Sequence, residues 1–194
     1  AIGKIPIHPE ELGIDFLSAS AHKFHGPKGV GFLYASTGDF DSYLHGGDQE
    51  QKKRAGTENL AAIVGMVAAL KEDLNDQLEH YQKLSALKST FLEEIAGLDY
   101  YLNESNHQLP YVVNIGFPGQ KNDLLLLRLD LEGISISTGS ACTAGIVQTS
   151  HVLEAFYGAD SHRLKESVRI SLSPLNTEKE LKQLAQTLKN IIGD

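Results

Sequence analysis

From Leu60 to Ile95, apolar side chains return at every third or fourth residue: Leu60, Ile63, Val64, Val67, Leu70, Leu74, Leu78, Tyr81, Leu84, Leu87, Phe91, Leu92 and Ile95. That spacing is the period of an α-helix with one apolar face, and a strand, with its period of two, cannot use it. The stretch therefore commits the middle of the chain to helix and separates what lies on either side of it. It is also longer than the roughly 8–20 residues of an ordinary globular helix. A break, or a bridge between two domains, is expected near Asp73–Asp76. Thr57 is the expected N-cap and Gly97 the expected stop.

Before this helix, Ile14–Leu17 and Val30–Tyr34 read as short strands around a turn punctuated by Gly26, Gly29 and Gly31. A polar, glycine-rich loop fills the interval from Thr37 to Gly56. After the helix the pattern alternates. Strands are expected at Tyr111–Phe117, Ile134–Ser137 and Val168–Leu172, and helices at Asp123–Leu131, His151–Tyr157 and Thr177–Ile192. Thr177 with Glu180 three residues on forms a capping box for the last helix. The alternation predicts α/β or α+β layers, in two domains of residues 1–75 and 76–194.

The formal charge of −8 speaks against non-specific binding to nucleic acid, which needs a basic footprint. No apolar run approaches the roughly 20 residues of a membrane span. Cys142 is the only cysteine, so an internal disulfide and a zinc site of several thiolates are both ruled out. A cytoplasmic location is the expectation. The chain opens at Ala1 without an initiator Met or a signal peptide, and is expected to be a processed protein or a piece of a longer one.

Lys23 stands in SASAHKFHGPKG, behind the small residues Ser18, Ala19, Ser20 and Ala21. One reading is a solvated lysine at a strand end. The other is an amine with a buried root, its pKa lowered by desolvation and suited to a Schiff base with a carbonyl cofactor. Ser20 and His22 lie close enough in sequence to donate to an anionic group. Cys142 lies in STGSACTAG, among residues too small to pack a core around its sulfur. It reads either as a small buried apolar group or as a nucleophile on a mobile loop, from Ser140 to about Gln148. Arg169, between Val168 and Ile170, points away from their face, as a surface residue or as a clamp for a carboxylate. The segment Arg54-Ala-Gly-Thr57 could hold an anion at a helix N-terminus. Phosphate-loop and dinucleotide glycine patterns do not occur, and His22 with His25 is too small a set for a metal site.

Taken together, SASAHKFHGPKG, HGGDQEQKKRAGTEN, STGSACTAG and SVRISLSP resemble the cysteine desulfurases, of the class V aminotransferase type. STGSACTAG is similar to the loop of the group that includes the IscS and NifS proteins. The arginine strand departs from the family pattern at Ser173, where a glycine is usual. The resemblance implies a remnant of a pyridoxal-phosphate transferase large domain of fold type I (aspartate aminotransferase-like), followed by an α+β small domain carrying the cysteine loop. It implies that Lys23 forms the Schiff base with pyridoxal 5'-phosphate, that Ser20 and His22 bind its phosphate, and that Thr57 reaches the phosphate of the neighbouring subunit in a homodimer. Arg169 then holds the carboxylate of L-cysteine. Cys142 takes its sulfur as a persulfide, leaving alanine, and passes it to an acceptor or scaffold protein for iron–sulfur cluster assembly or tRNA thiolation.

In the family, an Asp that pairs with the pyridine nitrogen, a Gln at the ring oxygen and a ring-stacking histidine precede the segment that opens this chain. The chain is thus expected to be a C-terminal fragment, without tight cofactor binding of its own. Alternatives left open are a selenocysteine lyase or another class V lyase, against which STGSACTAG argues, and a non-catalytic docking module for acceptor proteins.

Overall fold

Two five-residue strands, β1 (Phe16–Ser20) and β2 (Gly31–Ala35), pair antiparallel, with Ser20 opposite Gly31. Their alternation sets two faces: Leu17, Ala19, Phe32 and Tyr34 are half-buried, while Phe16, Ser18 and Leu33 are exposed. The structure, a computed structural model, describes residues 1–105, 107–139 and 149–193. It divides into two compact units, Ala1–His80 and Tyr81–Asp194. The division falls inside the second long helix, a few residues beyond the boundary expected from the sequence.

In the first unit, Ala21–Phe24 form one turn of 3-10 helix between the strands. His25 closes the turn in the left-handed region, at φ 65°, and the Gly26 N–H donates to the Ala21 carbonyl at 2.9 Å. Ala21 and Phe24 are buried with Met66 of helix α1 (Leu60–Asn75), and Ile2, Val30, Phe32 and Leu70 pack around them. Gly65 of α1 makes this contact possible. A Cβ there would lie 2.9 Å from the ring of Pro27, so the missing side chain lets the turn rest on the helix.

The cap of α1 is Asn59 rather than the expected Thr57. The Asn59 side chain accepts from the Ala62 N–H at 3.2 Å, an arrangement for which Asn is at least as well suited as Thr. The helix ends at Asn75, and α2 (Gln77–Glu94) begins beyond Asp76, where the length of the apolar repeat demanded a break. Only part of the apolar stripe on α1 is used within its unit. Met66 is buried, Ile63 and Leu70 are half-buried, and Leu60, Val64, Val67 and Leu74 are exposed.

The second unit contains β3 (Tyr101–Leu102), β4 (Val112–Gly116), α3 (Asn122–Leu131), β5 (Ser137–Thr138), α4 (His151–Tyr157), α5 (Arg163–Glu166), β6 (Ser167–Ser171) and α6 (Glu178–Gly193). The four strands form an antiparallel sheet in the order β3-β4-β6-β5. Val113, Ile115, Val168 and Ile170 point into the core from its two central strands, where Leu84, Leu87 and Phe91 of α2, Leu125 and Leu129 of α3, and Leu181, Leu184 and Leu188 of α6 meet them. Strand β5 is shorter than the expected Ile134–Ser137, because Ile134 turns in against the core and its N–H donates to Leu129, closing the end of α3. β3 and α5 are too short to show a period in the sequence.

Candidate active site

The 3-10 turn that carries Lys23 is fixed from one side. Ala21 and Phe24 take the interior, and His22 and Lys23, between them, are exposed. Ser20, the last residue of β1, is exposed as well, so a hydroxyl, an imidazole and an amine come together within four residues of one turn. The sequence left open a solvated or a buried lysine. Here Lys23 is exposed: one turn of 3-10 helix can turn only one side inward, and Ala21 and Phe24 occupy it.

Thr57 is exposed in the segment that leads into α1. The preceding loop is held by the Gln49 side chain, whose Oε1 accepts from the Gly56 N–H at 3.0 Å. Glu50, Gln51 and Lys52 all adopt positive φ, between 51° and 66°. Left-handed geometry costs about 1–2 kcal/mol for each residue with a Cβ, and such strain collects where a chain must present groups in a set direction. On α1, the Asp73 carboxyl lies against Gly3. Burial pushes its pKa up, while His25, His80 and Lys4 pull it back down without cancelling the effect.

In the second unit, Arg169 sits in the middle of β6, half-buried between the core residues Val168 and Ile170, so its side chain leaves the sheet on the opposite face, as its flanks predict. Its Nε is buried and has no hydrogen-bond partner among the described residues. A polar network that the sequence reading passed over shares this face. Asn103 Nδ2 donates to Asn114 Oδ1 at 2.9 Å and to the buried Ser167 Oγ at 2.8 Å. Arg163 Nη1 donates to Asn103 Oδ1 at 3.1 Å, and its guanidinium lies 4.1 Å from the Tyr101 ring and 4.5 Å from the Tyr157 ring. The Tyr101 hydroxyl donates to Glu166, and its pKa is raised, first by burial. The one sign of this network in the sequence is a lone Asn114 inside the apolar strand VVNIG.

Cys142, and the expected mobile stretch from Ser140 to about Gln148, lie outside the described residues. Thr138 and Gly139 on one side and Thr149 on the other border an open cavity of about 350 Å³ at the start of α3, lined also by Lys121, Asn122 and Lys165. Among the described residues no three His, Cys, Asp or Glu side chains cluster as metal ligands, and no helix is long and apolar enough to cross a membrane.

Comparison with known proteins gives this arrangement a context. A Bacillus subtilis relative is 44% identical over 197 residues, covering 99% of this chain and 52% of its own length. Cysteine desulfurase IscS of Dictyoglomus turgidum is 40% identical over 195 residues, covering 98% of this chain and 49% of its own length. Among solved structures, a NifS-like protein superposes with a TM-score of 0.88 at 33% identity, over 100% of this chain and 50% of its own. SspA, solved in complex with cysteine, gives 0.70 at 30% identity, over 91% of this chain and 49% of its own. The chain spans about half the length of the curated relatives it matches. The model of the class V aminotransferases matches residues 1–184, and the chain belongs to that family.

Proposed function

We propose that this chain is the part of a pyridoxal-phosphate-dependent L-cysteine desulfurase that carries its lysine, its substrate arginine and its nucleophile. The observation that carries the reading is the pinned turn with Ser20, His22 and Lys23 on its exposed side, within a chain about 40% identical to a cysteine desulfurase. This donor set fits the cofactor: an amine for its aldehyde, and a hydroxyl and an imidazole for its phosphate. When bound, the cofactor draws electron density from the substrate's α-carbon and loosens the adjacent bonds.

The chain's own residues supply the rest. Lys23 takes the proton from the α-carbon and later returns one. Ser20 and His22, and Thr57 in a neighbouring subunit, hold the phosphate. Arg169 pairs with the substrate carboxylate through its planar fork. The Cys142 thiolate attacks the substrate sulfur, so an S–S bond forms as the C–S bond breaks. L-cysteine and the Cys142 thiol become L-alanine and a Cys142 persulfide, with atoms and electrons in balance. The persulfide then goes to an acceptor protein, for iron–sulfur cluster assembly or tRNA thiolation. Residues 1–75 belong to the large domain and residues 76–194 to the small one. The enzyme works as a homodimer in the cytoplasm, where a reducing environment keeps the Cys142 thiol available. SspA, the structural neighbour solved with cysteine, supports the choice of substrate.

A chimera tests this. The chain replaces the matching half of the Dictyoglomus turgidum relative, and alanine and protein persulfide are measured with L-cysteine. Both products are expected. Cys142→Ala is expected to lose both while the cofactor stays bound, and Lys23→Ala to lose the cofactor's characteristic absorbance near 400 nm. Alanine formation that survives Cys142→Ala would remove the nucleophile assignment.

A further inference from the structure

Sheet register places Asn114 of β4 directly opposite Arg169 of β6, with Ser137 of β5 on the other flank. Opposed residues of an antiparallel pair point to the same face, with Cβ atoms about 4.5–5.5 Å apart. Asn114 and Arg169 are therefore immediate neighbours on the face turned away from the core. The Asn114 amide has a defined direction. Its Oδ1 accepts from Asn103 Nδ2, which reaches across β4 and donates to Ser167 of β6 as well. With its oxygen engaged by Asn103, the amide keeps its two N–H donors for a ligand beside Arg169.

Two donors side by side cannot satisfy each other. Arg169 Nε is buried and has no acceptor among the described residues, and leaving such a group unpaired is costly. The ligand that answers a guanidinium edge and an amide N–H together is an anion with two acceptor oxygens in one plane. We infer that Asn114 is a second donor to the carboxylate that Arg169 receives. Arg163 and Asn103 are positioning residues that set its amide: Arg163, held between two tyrosine rings, fixes Asn103, and Asn103 fixes both Asn114 and Ser167. This inference rests on the reading of Arg169 as the carboxylate clamp.

The test uses the intact chain labelled with ¹⁵N. The Arg169 Nε–H signal, assigned by its loss in Arg169→Lys, is followed during titration with sodium acetate against sodium chloride of equal ionic strength. A saturable shift specific to acetate is expected. Asn114→Ala is expected to weaken acetate binding about tenfold, the scale of one hydrogen bond to a charged group. Asn103→Ala is expected to fall between wild type and Asn114→Ala. The core amide spectrum reports folding in each variant, with Asn114→Ser as a second truncation should the alanine variant unfold. A purely structural Asn114 would leave folded Asn114→Ala and Asn114→Ser binding acetate like wild type, and that result overturns the inference while the Arg169 reading stands. An absent acetate response in the wild-type chain defeats the Arg169 reading, and the inference falls with it.

Discussion

Lys23 shows how little a residue's own flanks settle about its burial. Small residues precede it, yet the turn gives its interior side to Ala21 and Phe24 and leaves the amine outside. Gly31, where the chain returns as β2, is constrained far more tightly. A Cβ on Gly31 would lie 2.2 Å from the Ala19 carbonyl oxygen, a backbone atom that cannot rotate away. Gly31 pairs with Ser20, so the clash falls at the strand end from which the Lys23 turn springs. Gly31→Ala is expected to destabilise the first unit by about 1–3 kcal/mol, the usual cost of forcing an extra carbon into a filled space. It should also loosen the turn. Chemical denaturation measures the first effect, and faster amide exchange at Ala21 and Gly26 measures the second. An unchanged midpoint would mean that the two strands separate at no cost.

Among the elements, α6 gives the clearest agreement between sequence and structure. The Thr177 N–H donates to Glu180 Oε2 at 2.7 Å, and the Glu180 N–H donates back to Thr177 Oγ1 at 3.3 Å, the reciprocal pair that the spacing predicts. The bonds from Thr177, and then that from Asn176, hold the Glu180 carboxyl below its ordinary 4.5. A carboxyl with a lowered folded pKa adds stability above its unfolded value and loses it as pH falls through the folded one. The advantage of wild type over Glu180→Gln is therefore expected to be full at neutral pH and to shrink below pH 4.5, read from urea midpoints at pH 7 and pH 3. A difference independent of pH would show that Glu180 acts only by its shape. Thr177→Ala is expected to cost about 1 kcal/mol at neutral pH, as loss of a helix cap does.

At the scale of the molecule, the two units have very different interiors. The second packs three helices and the central strands around Phe91, Phe117, Ile115 and Leu188, all essentially out of contact with water. The first buries Ala21, Phe24 and Met66 beneath a two-stranded sheet. An isolated pair of strands is marginal in water, and stability follows buried apolar area. Hydrogen exchange should therefore proceed in two stages. Amides of β1, β2 and α1 are expected to exchange through openings of much lower free energy than those of β4, β6 and α6. A single cooperative exchange for both units would contradict this.

Some of this protein was legible without coordinates, because it depends on near neighbours in the chain. The period of three and four gave the long helices, their excess length gave the break at Asp76, and the Thr177–Glu180 spacing gave the cap. The grouping of Ser20, His22 and Lys23 was legible for the same reason, since they lie within four residues of chain. What depended on residues far apart was not. Asn103 and Asn114 lie tens of residues before Arg163 and Arg169, and only the order β3-β4-β6-β5 makes them neighbours on one face. The cap at Asn59, the two-residue strands and the exposure of Lys23 were likewise decided by packing. A sequence carries the propensity of each residue, but which side of a turn is buried is set by what the rest of the fold lays against it.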